Sequence, residues 1–230
     1  MSAKLEVIFV DNHILVVAKP ACQPIVPDDS GDLSLLDQAK EWVKKEYDKP
    51  GNIFLGVVHR LDRPVSGVVV FARTSKGASR LSAAWQKHEV QKTYLAWSRA
   101  TPKNNLGQAG EWRQWLWKDR SRNRVLVSRR DGAKEAVTEW EILEVNSRGT
   151  LLRLQPKTGR AHQLRVACAC AGLVLAGDLK YGADQPLKNR SVGLHASSLE
   201  FKHPTKDDIL RFTALAPSWA DEKLGREIGG

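Results

Sequence analysis

His59-Arg60-Leu61-Asp62-Arg63-Pro64-Val65-Ser66-Gly67 is the segment best equipped for chemistry, and the apolar run Val68-Val69-Val70-Phe71 follows it directly. A single carboxylate stands between two arginines, and a Pro/Ser/Gly turn then feeds a buried strand. Flanking guanidinium groups would keep Asp62 ionised, while the turn would set it at the mouth of a sheet rather than inside it. A permanently charged carboxylate in a basic setting suits attack on, or stabilisation of, an electron-poor centre in a polyanionic substrate. The competing reading is an Arg-Asp-Arg surface cluster where a strand begins, which contributes little energy.

Three further segments carry polar chemistry. Lys92-Thr93-Tyr94 offers a tyrosine beside a cation, either stacked on a flat base or packed as a core residue. Lys157-Thr158-Gly159-Arg160-Ala161-His162-Gln163-Leu164-Arg165 is a basic turn leading into a helix, where backbone N–H groups with Lys157 and Arg160 would cradle a phosphate. Arg165 lies further in, among Leu164, Val166 and Ala167. A guanidinium so surrounded needs a partner, of which an aspartate is the natural one. Gly177-Asp178-Leu179-Lys180-Tyr181-Gly182 is a glycine-bracketed segment that reads as a structural turn.

Strands must position most of these residues. Residues 5–10 and 14–19 read as a hairpin closed by Asp11-Asn12-His13. An apolar stripe through Leu35, Leu36, Ala39, Trp42 and Val43 predicts a helix over 34–47, and a second runs from about 75 to 88. Strand patterns recur at 57–59, 67–73, 92–97, 112–117, 124–128, 136–143, 151–154, 195–201 and 209–214, with a polar loop over 101–111. A third helix is expected over 160–171, stopped by Gly172. The pattern is α+β: a single domain over 1–230 with a mixed, mostly antiparallel central sheet flanked by a few helices. Its core spans about 7–215, with a tail of low order over 216–230.

Charge points to the partner. The chain carries 36 Lys+Arg against 26 Asp+Glu, a formal charge of +10. RNA or DNA is the natural acidic partner, and no basic amphipathic helix argues for a membrane. The positive charge clusters at Lys118, Arg120, Arg122 and Arg124, which suits contacts to a nucleic-acid backbone, while Trp112, Trp115 and Trp117 stack on bases or pack as core. Met1-Ser2-Ala3-Lys4-Leu5-Glu6 has no signal-peptide core, and the three cysteines read as reduced, mostly buried thiols of a cytoplasmic protein. Neither a Gly-rich phosphate loop nor a cluster of metal-ligating residues occurs, so no nucleotide cofactor and no metal are expected.

In this order, the Asp62 segment, Lys92-Thr93-Tyr94, the 157–165 segment, Gly177 to Gly182, and Leu194-His195-Ala196 with His203-Pro204 resemble the RluA-type pseudouridine synthases. Ile14-Leu15-Val16-Val17-Ala18-Lys19-Pro20-Ala21 is similar to that family's first catalytic-domain hairpin. The likeness spans about residues 7–215. It implies the pseudouridine synthase fold and the isomerisation of uridine to pseudouridine in RNA, without cofactor or metal. It also implies Asp62 as catalytic carboxylate, Arg165 as its ionic partner and Tyr94 against the uracil. His59 and Arg60 would serve the base-flipping loop, with Arg60 filling the vacated stack. Val65, Ala161 and Ala167 depart from the family pattern and remove hydrogen-bonding groups near the site. The small N-terminal S4 RNA-binding domain of many relatives is not expected. A monomer would then read a tRNA or rRNA stem-loop with its catalytic domain alone. The rival reading is a non-catalytic RNA-binding or folding-helper protein that keeps the fold. A nucleoside glycosidase would need a second carboxylate, and none stands out near Asp62.

Overall fold

Ile14-Leu15-Val16-Val17 and Val68-Val69-Val70-Phe71 contain no polar alternation, and every residue of both runs is fully buried. Strands of that composition are covered on both faces. The computed structural model describes residues 4–103 and 106–220. Described residues of Met1–Gln91 and Ala196–Leu215 form one compact unit, and those of Lys92–His195 and Ala216–Gly230 form another.

In chain order the elements begin with β1 (Glu6–Val10), β2 (Ile14–Lys19), α1 (Leu35–Glu46), β3 (Gly56–Val57), β4 (Ser66–Ala72) and α2 (Ser75–Gln86). There follow β5 (Gln91–Ser98), β6 (Ala109–Asp119), β7 (Arg124–Val127), β8 (Lys134–Asn146) and β9 (Gly149–Pro156). The last are α3 (Gln163–Cys170), β10 (Leu194–Lys202) and β11 (Ile209–Thr213). The α+β class is as expected.

In the first unit β2 pairs antiparallel with both β1 and β4, and β3 also pairs with β4. The β1–β2 turn is built by Asp11, whose Oδ1 accepts from the amides of His13 (2.7 Å) and Ile14 (2.9 Å). Its Oδ2 faces His203 Nε2 at 2.8 Å. Burial alone would push the Asp11 carboxyl up, but these amides and His203 hold it below its ordinary value. Ser34 caps α1, accepting from the Asp37 amide and donating to its carboxylate, and Thr74 caps α2. Val16, Val70, Leu81, Phe201 and Phe212 share one core cluster.

In the second unit β5, β9, β8, β6 and β7 follow one another, each antiparallel to the next. Leu116, Val125 and Ala136 form one core cluster with Val166 of α3. Here the limits differ from the sequence pattern. β6 begins at Ala109 inside the expected loop because the register Ala109↔Glu141 through Leu116↔Lys134 pairs polar residues into the ladder, and β8 runs to Asn146 because Glu144, Val145 and Asn146 pair with Leu151, Thr150 and Gly149 of β9. Ladder hydrogen bonds, not burial, extend these strands. Residues 104 and 105 of that loop, residues 1–3, and 221–230 of the expected tail lie outside the described residues. Of the rest of the tail, Ser218–Ala220 is a short 3-10 turn.

Candidate active site

Asp62 sits half-buried in the loop between β3 and β4 of the first unit. The loop is held at several points. The Val65 amide donates to the Asp62 carbonyl at 3.0 Å. Gly67 follows at φ +125, and a Cβ there would stand 2.2 Å from the carbonyl oxygen of Ala196. Only glycine permits both that backbone and that approach. His59 Nε2 accepts from the Val70 amide at 3.1 Å, and its ring stacks on Trp85 at 4.7 Å, so the imidazole braces the loop's leading end. Arg60 is exposed.

Arg63 departs from the expectation that both flanking guanidiniums hold Asp62. Its guanidinium turns to the carboxylates of Asp28 and Asp32 and to the Cys22 carbonyl. Long side chains seek the best local acceptors, and here two aspartates on the 20–34 stretch supply them. Arg63 therefore ties that stretch to the loop.

Lys19, absent from the sequence reading of the site, lies at the end of β2 with only 2% of its surface exposed. Its Nζ donates to the carbonyls of Pro20 (2.9 Å), Gln23 (2.8 Å) and Arg63 (3.0 Å). Burial pulls the ammonium down to about 7, against the opposing pull of Cys22 and Asp62. A lysine inside an apolar strand just before a proline is the signal that could have marked it.

Tyr94 and Arg165 belong to the second unit. Tyr94 is half-buried on β5 opposite Leu154, and Lys92 donates to the Thr158 carbonyl at 3.3 Å. Arg165 is buried in the first turns of α3, where its Nε and Nη2 donate to the two carboxylate oxygens of Asp178 at 2.8 and 2.7 Å. Asp178, read from sequence as part of a plain turn, is thus a two-point partner for Arg165 and is itself 1% exposed. The Arg165 guanidinium also lies 5.1 Å from the Tyr181 ring centroid. Tyr181 Oη stands 2.6 Å from His162 Nδ1 and accepts from the Val125 amide at 3.0 Å.

The phosphate cradle expected at 157–160 is not open. The Lys157 amide donates to the Val137 carbonyl, the Arg160 amide to Gln163 Oε1, and the Lys157 ammonium meets Glu139 at 2.7 Å. Gln163 also starts α3 three residues later than the pattern predicts. Its side chain binds Thr158, Val137 and Thr138, fixing 158–162 as a turn with His162 at φ +50. Lys118, Arg120 and Arg160 line one cleft of this unit. Arg122 and Arg124 project around the 120–124 turn, and Arg124 lies 5.5 Å from the Tyr181 ring. Trp112 stacks on Trp140 at 5.1 Å, whereas Trp115 is 41% exposed.

Cys168 is buried, but Cys22 is only half-buried and Cys170 is exposed, a correction to the expectation of mostly buried cysteines. Burial pushes the Cys168 thiol well up. Among the described residues no group of acidic, histidine or cysteine side chains could hold a metal, and no helix is long and apolar enough to cross a membrane.

Residues 13–170 match the RNA pseudouridylate synthase family. An uncharacterized RNA pseudouridine synthase of Zymomonas mobilis is 33% identical over 94% of this chain and 95% of its own length. The dual-specificity RNA pseudouridine synthase RluA of Haemophilus influenzae is 31% identical, covering 91% of this chain and 92% of that protein. Among solved structures, human RNA pseudouridylate synthase domain containing 4 is similar with a TM-score of 0.76 and 26% identity, over 96% of this chain and 92% of the other. These matches do not favour the non-catalytic folding-helper alternative. The chain belongs to the RNA pseudouridylate synthase family, isomerases that act on RNA.

Proposed function

We propose that this protein converts uridine to pseudouridine at one or more positions of a structured tRNA or rRNA, with Asp62 as its catalytic carboxylate. The supporting observation is the Asp62 loop itself. Three independent restraints, from Gly67, Lys19 and Arg63, fix the backbone around one half-buried carboxylate. Such preorganisation suits chemistry more than binding, which needs no fixed acid group. In the reaction the N1–C1′ bond breaks, the uracil turns while bound, C5 bonds to C1′, and the proton lost from C5 is balanced by one gained at N1.

By resemblance, Tyr94 takes the uracil face and Arg165 steadies the charge of the reacting centre. Arg60, exposed beside the carboxylate loop, fills the stack that the flipped base leaves, at a cost of roughly a few kcal/mol for unstacking. His59 supports that loop through Val70 and Trp85 rather than by reaching outward. Lys118, Arg120, Arg122, Arg124 and Arg160 supply positive charge for the RNA backbone. Lys157, paired with Glu139, contributes less. The protein acts as a cytoplasmic monomer in this reading.

A transcriptome-wide pseudouridine map from cells with and without the gene tests it. Discrete uridines in tRNA or rRNA should lose the modification when the gene is absent. An unchanged map would overturn the proposal.

A further inference from the structure

Four cations of the second unit converge on one concavity. Lys118 on β6, Arg120 in the turn after it, Lys134 at the start of β8 and Arg160 before α3 line a cleft of about 440 Å³. Leu116 and Val125 give it an apolar floor. Gly132 and Gly159 stand at its wall, and a Cβ on either would meet nothing within 4 Å.

The charges here are uncompensated. On the same sheet Arg113 meets Glu111 and Glu135, Arg153 meets Glu141, and Lys157 meets Glu139. Among the described residues none of the four cleft cations meets a carboxylate. Arg160 spends only its Nε, on the Glu135 carbonyl. Asp119, between Lys118 and Arg120 in sequence, turns back to Ser121 and the Arg122 amide, and Glu135, next to Lys134, meets Arg113. Like charges gathered in a concavity repel one another and focus a positive potential, which an anion relieves. The volume exceeds what a lone phosphate fills and falls in the range of small-ligand sites.

We propose that this cleft is a second RNA subsite, which holds one nucleotide of the substrate strand other than the uridine that reacts. Its phosphate meets Lys118, Lys134, Arg120 and Arg160, and its sugar and base rest on Leu116 and Val125. Neither Tyr94 nor Arg165 lines the cleft and it holds no carboxylate, so it binds without catalysing. The inference rests on RNA being the substrate and adds a place where the strand is gripped.

The test uses the full chain and a single-stranded oligouridine, with affinity measured across a salt series. Lys118→Gln/Lys134→Gln should weaken binding about tenfold and make the salt slope shallower by about 1.4, from about 0.7 per lost single-strand phosphate contact. The control Lys44→Gln/Lys45→Gln removes the same charge from α1 and should leave the slope nearly unchanged, since no phosphate contact is lost. Gly159→Leu fills the cleft without altering charge and should weaken binding as well. Free uridine 5′-monophosphate should compete only weakly.

Equal effects of the two double variants would overturn the proposal, because net charge alone would then explain binding. So would unaltered binding by Gly159→Leu, strong competition by the free mononucleotide, or no binding by the wild type at low salt. A wild type that binds oligouridine with this pattern but makes no pseudouridine would instead sink the proposed function and leave the cleft standing.

Discussion

Arg165 and Asp178 form an ion pair buried on both sides. Two charge-assisted hydrogen bonds join side chains that are 6% and 1% exposed. Removing one partner of such a pair strands the other charge in a low dielectric. Arg165→Met should therefore lower the unfolding free energy by about 3–5 kcal/mol, measured by urea denaturation, and Asp178→Asn should cost a similar amount. A loss below about 1 kcal/mol would mean water reaches Asp178 and the pair is not truly buried. At this scale the sequence revealed residue types but not partners. Asp62, Tyr94 and Arg165 stand out as chemistry-bearing groups. That Arg165 would find Asp178, or that Arg63 would turn to Asp28 and Asp32, depends on how turns bring distant side chains together. No local spacing encodes it.

Lys19 shows how an element's end can govern a loop. Its ammonium joins the close of β2 to the carbonyls of Pro20, Gln23 and Arg63, the last being the residue after Asp62. Its folded value of about 7 lies below the ordinary 10.5, so between these limits the unfolded chain holds a proton that the folded chain has released. Stability contributed by this group is lowest and flat below about pH 7, and it rises towards pH 10.5. Urea unfolding midpoints across that window should show this rise in the wild type and a shallower one in Lys19→Met. Lys92, also lowered by burial, leaves some slope of the same sign. Identical slopes in the two proteins would remove Lys19 from this role. Most elements were legible, because β2 and β4 are unbroken apolar runs and both α1 and α2 carry a cap and an apolar stripe. The start of β6, the length of β8 and the start of α3 were not. Ladder pairing set the first two, and the Gln163 side chain set the third.

Across the whole molecule, charge and family membership agree. A formal +10 suits a protein whose family acts on RNA, and Lys118, Arg120, Lys134 and Arg160 concentrate part of that charge in one cleft. The order of motifs along the chain announced the family. The division into two compact units did not show in the sequence, since no linker or change of composition marks Gln91 or Ala196. In the proposed function one carboxylate, Asp62, does the chemistry while a basic surface does the binding. Release of tritium from unmodified tRNA and rRNA labelled at uridine C5 measures that chemistry directly, with RNA affinity followed in parallel. The wild type should release tritium. Asp62→Asn should fall by on the order of a thousandfold or more while holding RNA within a few fold, because an amide of equal size replaces the carboxylate. Release by Asp62→Asn at a rate close to the wild type would contradict the account.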